Sequence, residues 1–239
     1  MRHLIAETRN IATLAGVARK IRARPADLPG IVAIVGHPGV GKTQACVWLR
    51  DRTDAVFLRA KSVWTVRSLI DDMARELRVD ASGRRGVVYD RVIEALAISA
   101  RPVIVDEADY LLSASALLDA VRDIHDLAQT PLFVVGMERF LAKAQRHEQF
   151  ASRIAEAVRF EWADLADARA VAETCCDVAF GDDLLERMVR ATKGSLRRIK
   201  VALLQVEMWA DAEGLSRVTT ADWGDRPFES AVRQKGVSP

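Results

Sequence analysis

Eight residues in the first fifth of the chain constrain its fold more than any other feature. They follow a short apolar, β-branched run from Gly30 to Val35, and they read G-x-x-x-x-G-K-T. That spacing is typical of a loop between a buried strand and a helix, where backbone N–H groups and the helix N-terminus face phosphates. The residues predicted to bind nucleotide phosphates are Gly36, His37, Pro38, Gly39, Val40, Gly41, Lys42 and Thr43. Within this motif Lys42 is expected to reach the terminal phosphates and the Thr43 hydroxyl to bind Mg²⁺, so ATP and Mg²⁺ are the expected cofactors.

An acidic pair follows a second apolar run. Asp106 and Glu107 come directly after Val103 to Val105. Ligands of open α/β sheets bind at the carboxyl ends of the strands, so these side chains are expected beside the phosphates. We predict that Asp106 holds Mg²⁺ through water and that Glu107 orients and deprotonates the attacking water. The alternative is a solvated acidic loop, and Asp109 is expected to cap a helix.

The apolar pattern alternates between strands and helices along most of the chain. Strands are expected at residues 30–35, 55–58, 102–105, 132–135 and 157–160, with helical periodicity in several of the intervals. This alternation predicts an α/β fold with a parallel, doubly wound sheet, and the helical patterns after it predict a small C-terminal lid. The expected domains are 1–162 (nucleotide-binding), 163–214 (lid) and 215–239 (a flexible tail).

The composition indicates a globular protein. Half of the residues are hydrophobic, yet no run approaches the ~20 apolar residues of a membrane span, and the N-terminus lacks the apolar block of a signal peptide. We therefore expect a cytoplasmic location and no membrane partner. The three cysteines are expected to be reduced core residues. A net charge of +2 is too small by itself to indicate nucleic-acid binding.

Taken together, the motifs resemble those of AAA+ transposition ATPases of the MuB and TnsC kind. The resemblance covers Ile5 to about Ala212 and rests on a basic opening helix and the segments G-H-P-G-V-G-K-T, V-D-E-A-D, V-V-G-M-E and G-S-L-R-R-I. It implies a bacterial or phage-encoded ATPase that forms a helical filament or ring on double-stranded DNA of any sequence. It also implies a DDE transposase as the partner in DNA transposition.

The resemblance to AAA+ proteins also assigns two arginines. The segment F-A-S-R resembles the one before the last sheet strand of initiator-like AAA+ proteins, which implies that Arg153 is a catalytic finger acting on a neighbouring subunit. Arg139 and Arg146 are alternatives for that role. The segment G-S-L-R resembles the sensor 2 motif, which implies that Arg197 reaches the γ-phosphate of its own subunit.

One position departs from the AAA+ pattern. A polar sensor 1 residue is expected after the fourth strand, where this chain has Val135, Gly136, Met137 and Glu138. Hydrolysis is therefore expected to be slow, to use the Glu138 carboxylate, or to require a neighbouring subunit.

The segment after the second strand is the first candidate for DNA contact. It places positive charge beside an aromatic ring, with Arg59, Lys61, Trp64 and Arg67. In the alternative, Trp64 packs against the sheet and the cations are solvated. Arg84 and Arg85, in a loop flanked by glycines, are a second candidate.

Two other functions fit the same motifs. One is a secretion or signalling ATPase that acts on a protein partner without binding DNA, and the other is a helicase-loader-like ATPase.

Overall fold

The computed structural model describes residues 1–25 and 27–228. These form two compact units. The first, the sheet unit, comprises residues 13–37 and 42–160. The second, the lid unit, comprises residues 1–12, 38–41 and the described chain from Glu161 onward.

The sheet unit is built on five parallel strands in the order β2-β3-β4-β1-β5. Every residue of β1 is buried, as expected for a central strand of a parallel sheet covered on both faces. The chain leaves β1 for the far edge of the sheet at β2 and returns step by step through β3 and β4. Because β1 then lies beside β4, their carboxyl ends flank the crevice where ligands of such sheets bind. The strands are β1 (Ile31–Gly36), β2 (Val56–Arg59), β3 (Val103–Asp106), β4 (Leu132–Gly136) and β5 (Ile154–Phe160).

Helices of this unit pack on the sheet through apolar stripes. In α3 the buried residues Leu69, Ile70 and Met73 recur at helical spacing, and Thr65 caps the helix in a capping box with Ser68. The helices are α1 (Arg9–Arg22, in this unit from Thr13), α2 (Lys42–Thr53), α3 (Val66–Leu77), α4 (Arg85–Ser99), α5 (Ser115–Ala128), α6 (Glu138–Ala144) and α7 (Glu148–Ala151), with a 3₁₀ helix at Ala108–Ser113.

The lid unit is mainly helical. Its elements are α8 (Leu165–Cys175), β6 (Ala179–Phe180), α9 (Asp182–Thr192), α10 (Leu196–Glu213), β7 (Arg217–Val218) and α11 (Thr220–Trp223). The N-terminal segment belongs to this unit because Asn10 Nδ2 donates to the Glu161 carbonyl (2.8 Å) and Glu161 N–H donates back to Asn10 Oδ1 (3.1 Å). Arg9 adds an ion pair to Asp164, the cap of α8, at 3.1 Å.

The fold class predicted from the sequence, a doubly wound α/β sheet, is confirmed. The three-domain division at 1–162, 163–214 and 215–239 stays a prediction. Where an irregular tail was expected, residues 215–228 contain β7 and α11, and residues 229–239 lie outside the described part of the chain. Cys46, Cys175 and Cys176 are buried free thiols, as expected. Among the described residues, no helix is both long and apolar enough to cross a membrane.

Candidate nucleotide-binding site

The predicted phosphate loop joins the end of β1 to the start of α2. Gly39 and Gly41 adopt φ angles of +90° and +97°, which L side chains rarely adopt. The spacing of the glycines in the motif therefore matches a backbone requirement of the turn. The first residue of α2 is Lys42, so the loop delivers the N-terminus of a 12-residue helix, with its unpaired N–H groups, to the site.

Within the lid unit, the tip of the same loop packs against the start of α10. A Cβ atom at Gly39 would lie 2.6 Å from Ser195 Oγ, and one at Gly41 would lie 2.7 Å from Leu196 Cδ2. The backbone N–H of Arg197 donates to the Gly39 carbonyl at 3.2 Å. The exposed Arg197 side chain thus starts beside the loop, where a sensor 2 arginine is needed, and its catalytic role stays a prediction.

Lys42 is held inside the loop. Its Nζ donates to the carbonyl oxygens of Gly36 (2.6 Å) and His37 (2.9 Å). Burial lowers the pKa of Lys42, and the nearby carboxylates of Glu107, Asp106 and Asp109 oppose that shift. The ammonium and the acidic residues that the sequence assigned to one site are therefore electrostatic neighbours in the structure.

Asp106 and Thr43 form the pair expected to bind Mg²⁺. The Thr43 hydroxyl donates to Asp106 Oδ2 at 2.9 Å, and the Asp106 residue is 2% exposed. A hydroxyl and a carboxylate are hard oxygen donors, and Mg²⁺ typically binds through one or two carboxylates together with substrate phosphates. The pair fits that ion. Among residues 1–25 and 27–228, no cluster of three or more His, Cys, Asp or Glu forms a separate metal site.

Glu107 has an unusual backbone. Its φ and ψ are 56° and 38°, the left-handed region that non-glycine residues seldom occupy, and its side chain is exposed. The Glu107 N–H donates to Asp106 Oδ1 at 2.9 Å, which fixes this turn at the end of β3. The Glu107 carboxylate is therefore exposed to solvent and adjacent in sequence to Asp106. This position is compatible with the activation of a water molecule.

Asp109 does not cap its own helix, contrary to our expectation. It lies within the 3₁₀ helix, and its Oδ2 accepts the N–H of Met137 (2.7 Å) at the start of α6. Arg139 Nε also donates to it, at 3.2 Å. The residue therefore joins the turn after β3 to the turn after β4.

The turn that lacks a polar sensor 1 side chain is tightly packed. A Cβ atom at Gly136 would lie 2.9 Å from both Asp109 Oδ2 and Phe140 Cβ, so a side chain there would force one of them to shift. Met137 Sδ lies 3.9 Å from Lys42 Nζ, and Glu138 Oε2 lies 3.7 Å from His37 Nε2. Sequence reasoning missed the Met137 contact and the His37 pairing. Glu138, by contrast, lies beside the phosphate loop, consistent with the substitute role suggested for it.

Arg153 lies at the amino-terminal end of the neighbouring strand β1, whereas Lys42 follows its carboxyl end. Its carbonyl accepts the N–H of Ile31 at the first residue of β1, whereas the phosphate loop follows the last residue of that strand. The guanidinium Nε is 2.9 and 3.1 Å from the two carboxylate oxygens of Asp126, and Nη1 donates to Ser152 Oγ at 2.9 Å. The structure therefore does not bring Arg153 together with Lys42 in one chain.

The candidate DNA-contact residues are mostly paired with acids. Trp64 is 6% exposed and lies in the apolar core, so the alternative in which it packs against the sheet describes its side chain. Its Nε1 and Lys61 Nζ both donate to Asp72, at 3.0 and 3.3 Å. Arg67 pairs with Asp71 at 2.9 Å.

The second candidate segment was expected to be a loop, and the structure corrects this. Arg84 is the cap residue and Arg85 the first residue of α4, and both are exposed.

Residues 26–144 match the model of the AAA domain family. With the parallel five-stranded sheet and the phosphate loop, this match shows the class of the fold, which is that of AAA+ P-loop ATPases.

More particularly, the chain is similar to two phage proteins that are named as target DNA activators. It is 28% identical over 193 residues to the ATP-dependent target DNA activator B of Escherichia phage D108, and 28% identical over 193 residues to that of Escherichia phage Mu. Each alignment covers 77% of this chain and 61% of the relative, so the chain spans less than two thirds of the length of these proteins. The Aeropyrum pernix ORC2 protein in its ADPNP–ADP complexes has a TM-score of 0.75 at 17% identity, covering 91% of this chain and 68% of that chain. At that identity the likeness supports the fold alone.

Proposed function

We propose that this chain is an ATP-dependent AAA+ ATPase that binds double-stranded DNA without sequence preference, oligomerises on it, and recruits and stimulates a DDE transposase. The observation that carries the proposal is the Thr43–Asp106 pair beside Lys42, in a chain similar to two ATP-dependent target DNA activators. The Thr43–Asp106 pair supports nucleotide-dependent action. The similarity to the two activators supports target DNA as the molecule on which this chain acts.

The geometry supports a set of proposed roles within one subunit. Lys42 and the loop N–H groups bind the phosphates, while Thr43 and Asp106 hold Mg²⁺, which would neutralise charge on the β- and γ-phosphates. In this proposal Glu107 orients and deprotonates the attacking water, and Arg197 contacts the γ-phosphate of its own subunit.

The position of Arg153 supports oligomerisation. Five residue steps of ~3.3 Å along β1 separate the end of the strand beside Arg153 from the end that leads into the phosphate loop. An arginine so placed serves the site of an adjacent subunit, not its own. Its bond to Asp126 would be exchanged for the phosphate at that interface.

The proposed DNA surface consists of Arg59, Lys61 and Arg67, all exposed. Each is paired with an aspartate, at 3.3, 3.3 and 2.9 Å. The pairs of Lys61 and Arg67 lie at the surface and are weak, so DNA phosphates can replace Asp72 and Asp71 at small cost, whereas the partner of Arg59, Asp106, is nearly buried. Binding through phosphates is independent of base sequence and weakens steeply with salt.

Fluorescence anisotropy with two duplexes of unrelated sequence tests the proposal. At micromolar protein and low salt, a non-hydrolysable ATP analogue should drive cooperative binding to both duplexes, and added salt should reverse it. Lys42→Ala should remove the dependence on the analogue. Charge reversal of Lys61 and Arg67 together should weaken binding to both duplexes and leave nucleotide affinity without DNA unchanged.

Absence of analogue-dependent binding to either duplex would overturn the DNA-binding proposal and favour a protein-partner ATPase or a helicase-loader-like ATPase. The transposase partner is tested separately. In the presence of ATP and DNA, the protein should retain a DDE transposase on beads that carry the duplex and should raise its strand-transfer rate.

A further inference from the structure

Arg59 connects the proposed DNA surface to the nucleotide site. It is the last residue of β2 and lies in register with Asp106 on the neighbouring β3. Its Nη2 donates to Asp106 Oδ2 at 3.3 Å. The same oxygen accepts the Thr43 hydroxyl at 2.9 Å. One carboxylate oxygen is therefore shared by a residue expected to bind Mg²⁺ and by a residue of the DNA surface.

We propose that Arg59 is a coupling residue that competes with the divalent cation for Asp106 and, when displaced, becomes available to a DNA phosphate. The inference rests on the proposed function for its DNA part. The competition for Asp106 needs no DNA.

The burial of the two partners supports a competition. The Asp106 side chain is 3% exposed, so its charge requires a close partner, whereas the Arg59 side chain is 56% exposed. Arg59 can thus leave Asp106 and remain solvated, while Asp106, which also has Lys42 nearby, would lose its direct ion pair unless another cation took that place. A guanidinium and a divalent cation close to one oxygen also repel each other.

The backbone limits the movement to the side chain. Ala60 N–H donates to the Asp106 carbonyl at 2.9 Å, which anchors the chain after β2. Lys61, the next residue, pairs with Asp72 on α3. Release of the Arg59 side chain therefore adds one cation beside Lys61 without displacing β2. This cation can then bind a phosphate of the DNA.

Linkage makes the coupling reciprocal: if Mg²⁺ favours release of Arg59, DNA that binds the released Arg59 must favour Mg²⁺. The wild-type protein should therefore need less Mg²⁺ when DNA is bound.

A Mg²⁺ titration without DNA tests the competition. Binding of a fluorescent, non-hydrolysable ATP analogue to the full chain is followed as Mg²⁺ is added. Arg59→Ala should lower the half-saturating Mg²⁺ concentration by about fivefold or more, whereas Arg59→Lys should stay near wild type because it keeps the charge. The matched control is Arg91→Ala, which removes an arginine paired with Asp80 at 3.0 Å and should leave the titration unchanged. Equal half-saturation for wild type and Arg59→Ala would overturn the competition.

A second arm repeats the titration with duplex DNA. DNA should lower the half-saturating Mg²⁺ concentration of the wild type and of Arg91→Ala, and should have no such effect on Arg59→Ala. An equal DNA effect in Arg59→Ala would overturn the transfer of Arg59 to DNA. If the wild type binds no DNA, the proposed function and the transfer both fail, and the DNA-free arm still decides the competition.

Discussion

At the residue scale, the Asp106 carboxylate is held by several hydrogen bonds in the candidate nucleotide site. Its two carboxylate oxygens accept hydrogen bonds from Thr43, from Glu107 N–H and from Arg59. Three donors hold a nearly buried carboxylate in one orientation, so the site is organised by the chain itself. Lys42 and Glu107 have different expected roles, and each can be removed separately.

Substitutions at these two positions should separate nucleotide binding from hydrolysis. Lys42→Ala removes the cation on the phosphates and should abolish detectable ATP binding. Glu107→Gln spares the phosphate loop, so it should bind ATP like the wild type while turnover falls by about 10²-fold or more. Fluorescent-nucleotide titration and phosphate release measure the two effects. Tight ATP binding by Lys42→Ala would contradict the assignment of the loop.

At the element scale, α5 contains a buried histidine whose ionisation depends on folding. His125 is 4% exposed, and its Nδ1 lies 2.7 Å from the Thr130 carbonyl, so Nδ1 carries the proton that is donated. Burial lowers the pKa of His125 from 6.5, the Thr130 bond raises it, and the charges of Arg24, Asp126 and Arg153 make smaller contributions. The folded protein thus favours neutral His125 more strongly than the unfolded chain does.

This histidine should make the fold sensitive to acid. Because its folded pKa is depressed, its contribution is fully present above pH 6.5 and is lost as the pH falls from there through the folded pKa, with a slope of at most about 1.4 kcal/mol per pH unit. His125→Asn keeps an N–H donor near Thr130 and cannot be protonated. Urea unfolding between about pH 7.5 and 5 should therefore show a shallower loss of unfolding free energy in this variant.

His3→Asn, at an exposed histidine, is the matched control and should follow the wild-type curve. If the wild type and His125→Asn lost unfolding free energy in parallel, protonation of His125 would not contribute.

The sequence predicted the elements whose apolar residues are clearly separated from the polar residues around them. The strands lie within a few residues of the expected bounds, but α4 went unpredicted. Its buried residues Val88, Val92 and Leu96 have the spacing of a helix face. The apolar residues Val87 and Ile98 are exposed, so they make that face hard to recognise from the sequence. The cap residue Arg84 makes no side-chain capping bond.

Other misses have local causes. Leu127 follows Ile124 at helical spacing, which predicts a place on the buried face of α5, but it is 59% exposed because Ala128 completes that face. The strands β6 and β7 have two residues each, too few to show a period. The helix α11 did carry a signal, the capping box of Thr219 and Asp222.

Only part of the candidate site was predictable from the sequence. The motif spacing located Lys42, Thr43 and Asp106, because the turn requires glycines and the binding of phosphates and Mg²⁺ requires a cation and a carboxylate. The Arg59–Asp106 pair was not predictable, because it depends on the register between β2 and β3. The roles of Arg153 and Arg197 stay predictions.

At the scale of the whole molecule, the role proposed for Arg153 would make catalysis a property of an interface. Arg153→Ala should then lower turnover of the assembled protein, as Glu107→Gln should. Mixed together, the two variants should regain activity, because a site from one and an arginine from the other form an intact interface. At equal amounts, random assembly gives about a quarter intact interfaces. Phosphate release measured across mixing ratios checks this.

Mixing either variant with Lys42→Ala provides further comparisons. Arg153→Ala with Lys42→Ala should also recover activity, whereas Glu107→Gln with Lys42→Ala should not, since both lack a working site. Normal turnover by pure, assembled Arg153→Ala would place the catalytic arginine elsewhere.

The two edge strands of the sheet affect whether separate molecules of this protein can pair through their strands. The edge strand β2 has four residues, and the other, β5, exposes Arg159 and carries Glu156 in an ion pair with Lys20. Short edges and edge charges oppose strand addition between molecules. In the proposed assembly on DNA, close spacing of many copies would therefore carry little risk of cross-β aggregation, and subunits joined through side chains rather than strands could separate again.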